Sequence, residues 1–351
     1  LRAIDMTITA SFDIRVPLAT LLEHLIEQLE VDAANMLRLN ARSLMLECAV
    51  GRGFRNGSGN EPSLRVGQGL AGRAVFEQQM IHMSPWDGAN AGVSELHAAE
   101  GFVSYYGIPL VAKGQTKGIL QIYNRKPISP DGDWMEMLNA MAVQAALAID
   151  NAELFERLQR SNIDLTLAYE ATLEGWARAL EMRDHETEGH TSRAAEVTVA
   201  LARSMGLPEE DLIHIRRGAL LHDIGKMAIR DEVLLKSGPL TESEWVEMRK
   251  HPQYAYELLS SISFLRPALD IPYCHHEQWD GTGYPRGLKG EGIPLAARIF
   301  SVVDVWDALH SDRPSRAAWP DAQIRNYLLQ KSGSQFDPLI VKMFVRMMWA
   351  D

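Results

Sequence analysis

The sequence predicts a multidomain chain of mixed class, α+β and then all-α: an antiparallel sheet with flanking helices, a long linker helix, and a helical domain that carries the chemistry. Three observations predict it. Two β-type runs, Gly107 to Ala112 and Lys117 to Tyr123, flank a Lys113-Gly114 turn. No proline occurs between Asp131 and Leu207, and the early part of that interval is rich in Ala, Leu, Glu, Met and Arg, which favours one long helix. Beyond residue 172 the patterning is almost wholly helical and holds eight of the eleven histidines. The expected boundaries are residues 1–152 for the first domain, 153–171 for the linker and 172–351 for the second domain.

The bulk properties narrow the class. With 351 residues, 46% apolar and 23% charged, the chain has material for two cores and is not a disordered composition. A balance of 35 basic against 46 acidic residues gives a net charge of -11, which argues against gripping duplex nucleic acid but allows a small anionic ligand met by local positive charge. Cys48 and Cys274 make neither a CxxC motif nor a disulfide framework, the usage expected in a reducing cytoplasm. Cys274 reads as a packed side chain beside His275 rather than as a ligand. The most apolar helical run, Met135 to Ile149, is too short and interrupted to span a bilayer, and no basic-then-apolar leader opens the chain, so a soluble chain with no membrane contact is expected. Leu1 is not a methionine, and further sequence upstream is expected.

In the first domain, Gly67-Gln68-Gly69-Leu70-Ala71-Gly72 matches GxGxxG, with Asp87 beyond it. A dinucleotide fold is rejected because the fingerprint needs a preceding strand within a βαβ unit, whereas a Gly, Asn and Ser-rich stretch stands there. This segment, with Gly107-Ile108-Pro109-Leu110, the Gly118-to-Arg125 strand and the closing Gln144-to-Ala152 run, resembles a GAF sensory domain over residues 16–155. The resemblance implies a small-ligand sensor or a dimerisation module and leaves the ligand unknown. His24, His82 and His97 are the candidates for a haem ligand, each with an ordinary polar or packed histidine as the favoured reading. Leu147, Leu154, Leu158 and Leu165 fall near alternate a and d positions, so a homodimer through the GAF domain and linker helix is expected, with packing of that stripe against its own domain as the alternative.

The second domain is where ionisable groups cluster. His222-Asp223 lies in the apolar run Ala219 to Ile224, read as helix, and a buried imidazole and carboxylate need a partner or a metal. Imidazole mixed with carboxylate suits iron, manganese or zinc better than magnesium or calcium. Glu186 and His190 stand at i and i+4, one face of a helix, and His275-His276 is a second adjacent pair. Two close metals bridged by one carboxylate would use such pairs best, and Asp223 is the candidate bridge. Lys226, one turn beyond His222, is placed to reach a phosphate.

His222-Asp223-Ile224-Gly225-Lys226, His251-Pro252, His275-His276-Glu277, Asp280-Gly281-Thr282-Gly283-Tyr284-Pro285 and Asp304-Val305-Trp306-Asp307-Ala308-Leu309 closely resemble the HD-GYP family, from about residue 170 to the end. The resemblance implies a helical, metal-dependent phosphodiesterase that hydrolyses cyclic di-GMP to pGpG, GMP or both, regulated here by the GAF domain. It implies that His222, Asp223, His251, His275, His276 and Asp304 are metal ligands, joined by Glu186 and His190 in a trinuclear variant. The implied cofactor is a di- or trinuclear transition-metal centre, iron first and manganese second. Asp223 and Lys226 would act in catalysis; Lys226, Arg313 and Arg316 would contact phosphate, with Asp184 and Asp307 supporting the site. Arginine replaces the usual lysine at 316, keeping the charge but changing reach. The loop around Gly283-Tyr284-Pro285 is also linked in the family with docking to diguanylate cyclase domains. Two alternatives stay open: another cyclic dinucleotide such as cyclic GMP-AMP as substrate, and a non-catalytic dinucleotide sensor.

Overall fold

The computed structural model describes residues 14–55, 63–84, 100–184, 189–312 and 317–349, in two compact units spanning 1–163 and 164–351. In the first unit helix α1 (Arg15–Leu29) leads into β1 (Ala33–Asn40), β2 (Met45–Arg52) and β3 (Leu64–Arg65). Helix α2 (Gly69–Glu77), β4 (Ile81–Met83), β5 (Ser104–Ala112) and β6 (Gln115–Asn124) follow. The strands form one sheet in the order β3-β2-β1-β6-β5-β4, and every described pairing is antiparallel. Gly69 therefore opens a helix after a two-residue antiparallel strand, outside the βαβ setting that a dinucleotide fingerprint needs. Lys113 and Gly114 both have positive φ, 49° and 75°, the type I′ combination whose twist suits a two-residue hairpin.

Each face of the sheet is covered. Leu18, Leu22, Leu25 and Leu29 recur every three or four residues along α1 and form its buried stripe. They pack on Met36, Leu120 and Ile122 together with Leu138, Ala145 and Ile149 of helix α3 (Gly132–Asp184). Ala71, Ala74 and Val75 of α2 cover Leu37, Leu46 and Ile119 on the opposite face. This double burial explains why β6 reads as a continuous apolar run rather than an alternation. Lys117, buried, ties β6 to α3 through Asp150 at 2.7 Å and Glu153 at 3.0 Å.

The expected long helix is present as α3, 53 residues without a break, and both expected linker boundaries fall inside it. Leu147, Leu154, Leu158 and Leu165 are 44%, 46%, 67% and 49% exposed, so the stripe is not packed against its own domain among the described residues. No described helix is long and apolar enough to cross a membrane.

The second unit continues with α4 (His190–Ser204), α5 (Glu209–Leu220), α6 (Asp231–Leu234), α7 (Glu242–Met248), α8 (His251–Ser260) and α9 (Asp270–Cys274). It closes with α10 (Leu295–His310), α11 (Asp321–Lys331) and α12 (Pro338–Trp349). Ile299, Phe300, Val302 and Val303 of α10 form its centre, packed against Ala194 and Leu201 of α4, Ile215 and Ala219 of α5, and Ile340 and Phe344 of α12. A second cluster joins Leu173 from α3 with Leu221, Ile224, Ala255 and Leu259.

One local expectation changes. Helix α5 ends at Leu220 and a 3-10 turn occupies Ile224–Ala228, so His222 and Asp223 lie in a tight turn rather than inside a helix. Helix α3 ends at Asp184 and α4 begins at His190 after Gly189, whose φ is 76°. Glu186 lies outside the described residues.

Candidate metal centre

The turn after α5 is held tightly against α8. Gly225 sits so close to the start of α8 that a Cβ there would stand 1.9 Å from the His251 carbonyl oxygen and 2.6 Å from the Ala255 nitrogen. Its missing side chain is what lets the His222-Asp223 turn meet His251, the first residue of α8.

Three imidazoles are oriented in the same way. Nδ1 of His222 donates to Ala219 O at 2.9 Å, that of His251 to Met248 O at 2.8 Å, and that of His275 to Ile271 O at 3.0 Å. A neutral ring with its proton on Nδ1 presents a bare lone pair at Nε2. His251 Nε2 and His275 Nε2 lie 3.2 and 3.7 Å from Asp223 Oδ1 and 3.4 Å from each other. Three atoms able to accept thus converge, and Asp223 Oδ1, buried, has no hydrogen-bond partner among the described residues. An orphaned acceptor of this kind is costly in a protein interior and is satisfied by a cation.

The neighbouring atoms extend the pattern. Asp223 Oδ2 faces Lys226 Nζ at 2.7 Å and His222 Nε2 at 3.1 Å. Two groups of possible ligands result, each with its atoms within 4.8 Å of one another: Asp223, His251, His275 and His276 in one, His190, His222 and Asp304 in the other. His190 Nε2 lies 3.4 Å from Asp304 Oδ1. Its Nδ1 is held by the buried Asp307 at 2.5 Å, one turn along α10 from Asp304. Arg193 fixes Asp307 in turn, with Nε 3.1 Å from Oδ1 and Nη2 3.2 Å from Oδ2.

The charge states suit cation binding. Burial alone would raise the Asp223 carboxyl, but the Lys226 ammonium and His222 outweigh it and hold its pKa well below the usual carboxylate range. Asp304 is likewise held low, burial being outweighed by His190 and His222. Burial pushes His275 down, and burial with repulsion from His275 and His251 pushes His276 well down, which favours the neutral ring that a metal would need. His222 moves the other way, since Asp223 and Asp304 outweigh its burial.

Of the remaining expected residues, Asp184 pairs with Lys226 at 3.1 Å. Arg313 and Arg316 lie outside the described residues. His24 and His82 are exposed, His82 stacked on Tyr106, and His97 is outside the described residues. Cys274 is buried, its thiol pushed up to about 11 chiefly by burial, in keeping with a packed side chain. The sequence reading missed Arg183, Arg193 and Glu277. Arg183 grips the 3-10 turn, donating to the carbonyls of Lys226, Met227 and Ile229 at 3.3, 2.7 and 2.9 Å. Neither arginine stands in a recognisable motif; Glu277, beside the histidine pair, was the one with a local signal.

Comparison with known proteins agrees with this architecture. Residues 13–150 match the GAF domain family and residues 175–340 the HD domain family. The two matches fall in the order GAF domain, then HD domain. It is 43% identical over 205 residues to the cyclic di-GMP phosphodiesterase response regulator RpfG of Xanthomonas campestris, covering 58% of this chain and 53% of that protein. It is 38% identical over 212 residues to 3'3'-cGAMP-specific phosphodiesterase 2 of Vibrio cholerae, covering 60% and 39%. The chain thus spans about half or less of the length of these curated relatives. A solved GAF domain from an Acinetobacter phosphoenolpyruvate-protein phosphotransferase superposes with a TM-score of 0.37 at 19% identity, covering 44% of this chain and 92% of that one.

Proposed function

We propose that this chain is an HD-GYP phosphodiesterase that hydrolyses cyclic di-GMP to pGpG, GMP or both, under control of its GAF domain. The convergence of bare acceptors on Asp223 Oδ1, beside a second ligand group, carries the reading. His222, Asp223, His251, His275, His276 and Asp304 are the proposed ligands of a di- or trinuclear centre, with His190 and Glu186 completing the trinuclear form. The mixed nitrogen and oxygen donors favour iron or manganese. When bound, neighbouring cations neutralise phosphate charge and make water a nucleophile at neutral pH.

The protein groups divide the remaining work. Asp223 opposes charge repulsion between the two positions by offering one oxygen to each ligand group. Lys226, held between Asp184 and Asp223, presents an ammonium to the phosphate or the leaving oxygen. Asp307 and Arg193 keep His190 turned toward Asp304. Arg313 and Arg316 supply the outer phosphate contacts in this proposal. A cytoplasmic location, supported by the cysteine usage, and docking of a diguanylate cyclase domain at the Gly283-Tyr284-Pro285 loop belong to the same reading.

Protein loaded anaerobically with Fe(II) or Mn(II) is expected to convert cyclic di-GMP to linear products, read by chromatography. Cyclic GMP-AMP is the second substrate to test, because a relative of 38% identity is named for it; preferential cleavage of that compound would move the assignment there. Fully loaded protein that leaves both intact would make the chain a non-catalytic sensor.

The exposed leucine stripe on α3 supports a homodimer. Light scattering is expected to give twice the 39.2 kDa chain mass, and a combined Leu154→Glu and Leu158→Glu change is expected to shift it toward the monomer. A strict monomer at high concentration would remove the paired helix from the proposal.

A further inference from the structure

We infer that Tyr284 is a positioning residue for His276, its ring doing what backbone carbonyls do for the neighbouring histidines. The inference rests on the metal reading above. His222, His251 and His275 are each fixed at Nδ1 by a main-chain acceptor. The His276 ring has no hydrogen bond among the described residues and is bounded by other rings. His275 lies 4.0 Å from it between centroids, His251 5.0 Å away edge-on, and Tyr284 stacks on it at 4.7 Å with an interplanar angle of 29°. The final side-chain torsion of histidine is a broad well, so a ring without a hydrogen bond takes its direction from what packs against it. His275 and His251 are already fixed; Tyr284 closes the remaining face.

The loop is built to hold that tyrosine still. A Cβ on Gly283 would stand 2.3 Å from the Gln278 nitrogen and 2.5 Å from Glu277 Cα, so only glycine allows the chain to fold back there. Tyr284 N–H donates to the carbonyl of His276 itself at 3.2 Å. The buried Glu277 carboxylate accepts from the Arg286 and Leu288 N–H groups at 2.7 and 2.9 Å, fixing the chain just beyond. The Arg249 guanidinium lies over the Tyr284 ring at 5.7 Å. Glycine, tyrosine and the buried glutamate thereby act together on one imidazole.

Cobalt(II) uptake by metal-free protein tests this without substrate, using affinity and the ligand-field spectrum as readouts. Tyr284→Phe, which keeps the ring, is expected to stay within about threefold of wild type, whereas Tyr284→Leu weakens the affected position by roughly 10- to 100-fold and alters its spectrum. Circular dichroism establishes folding, and Tyr284→Met carries the same comparison if the leucine variant does not fold. A non-aromatic variant with wild-type affinity and spectrum overturns the inference, as does a phenylalanine variant that loses as much as leucine. Wild-type protein that takes up no cobalt overturns the metal reading itself.

Discussion

Asp223→Asn is expected to lower hydrolysis by on the order of a thousandfold or more and to empty both proposed metal positions together. The substitution keeps the shape of the side chain and removes its charge, so the result reads electrostatics rather than packing. The amide also turns predictably. Its NH2 group cannot face Lys226 Nζ, which lies 2.7 Å from Oδ2, and turns instead toward the bare Nε2 atoms of His251 and His275 on the Oδ1 side. There it supplies the donor that those rings lack and fills the place of a cation. Metal analysis and product chromatography on matched samples check both halves. Wild-type metal content with wild-type turnover would sink the bridging role.

Gly225→Ala should be the most damaging single-methyl change in the second unit. The added carbon meets the His251 carbonyl at 1.9 Å and the Ala255 nitrogen at 2.6 Å, and both are backbone atoms that cannot rotate away. The turn and α8 must separate, at a cost of about 3 kcal/mol or more, which corresponds to a thermal midpoint roughly 10 °C lower. Gly175→Ala is the matched control, since nothing lies within 4 Å of its added carbon and it sits inside α3. It is expected to raise stability by about 0.5–1 kcal/mol. Calorimetry of the two variants side by side makes the contrast; equal midpoints would show that the close approach at Gly225 is not a constraint.

Much of this arrangement was legible because the chemistry announces itself in adjacent residues. The His222-Asp223 and His275-His276 pairs could be selected by adjacency before any geometry was known, whereas His251 and the α10 carboxylates entered through the resemblance to the HD-GYP family. The hairpin at Lys113-Gly114 and the long α3 were equally open to a reading by turn residues and by proline. Helix limits were less so. His222 and Asp223 sit in an apolar stretch that propensity extends as helix, yet α5 stops at Leu220 because the close contact of Gly225 with α8 overrides local preference. Arg193 and Arg183 were invisible for another reason: each acts on a residue 114 or 43 and more positions away, and sequence spacing carries no signal at that range.

Arg183 gives the end of α3 a grip on the machinery. It is held by three carbonyls of the 226–229 segment and by Asp231, and the adjacent Asp184 holds the Lys226 side chain. The last turn of the helix and the turn beside Asp223 are therefore joined by five hydrogen bonds through two adjacent residues. The end of α3 thus clasps the turn and leaves one ammonium group seated between two carboxylates, Asp184 at 3.1 Å and Asp223 at 2.7 Å.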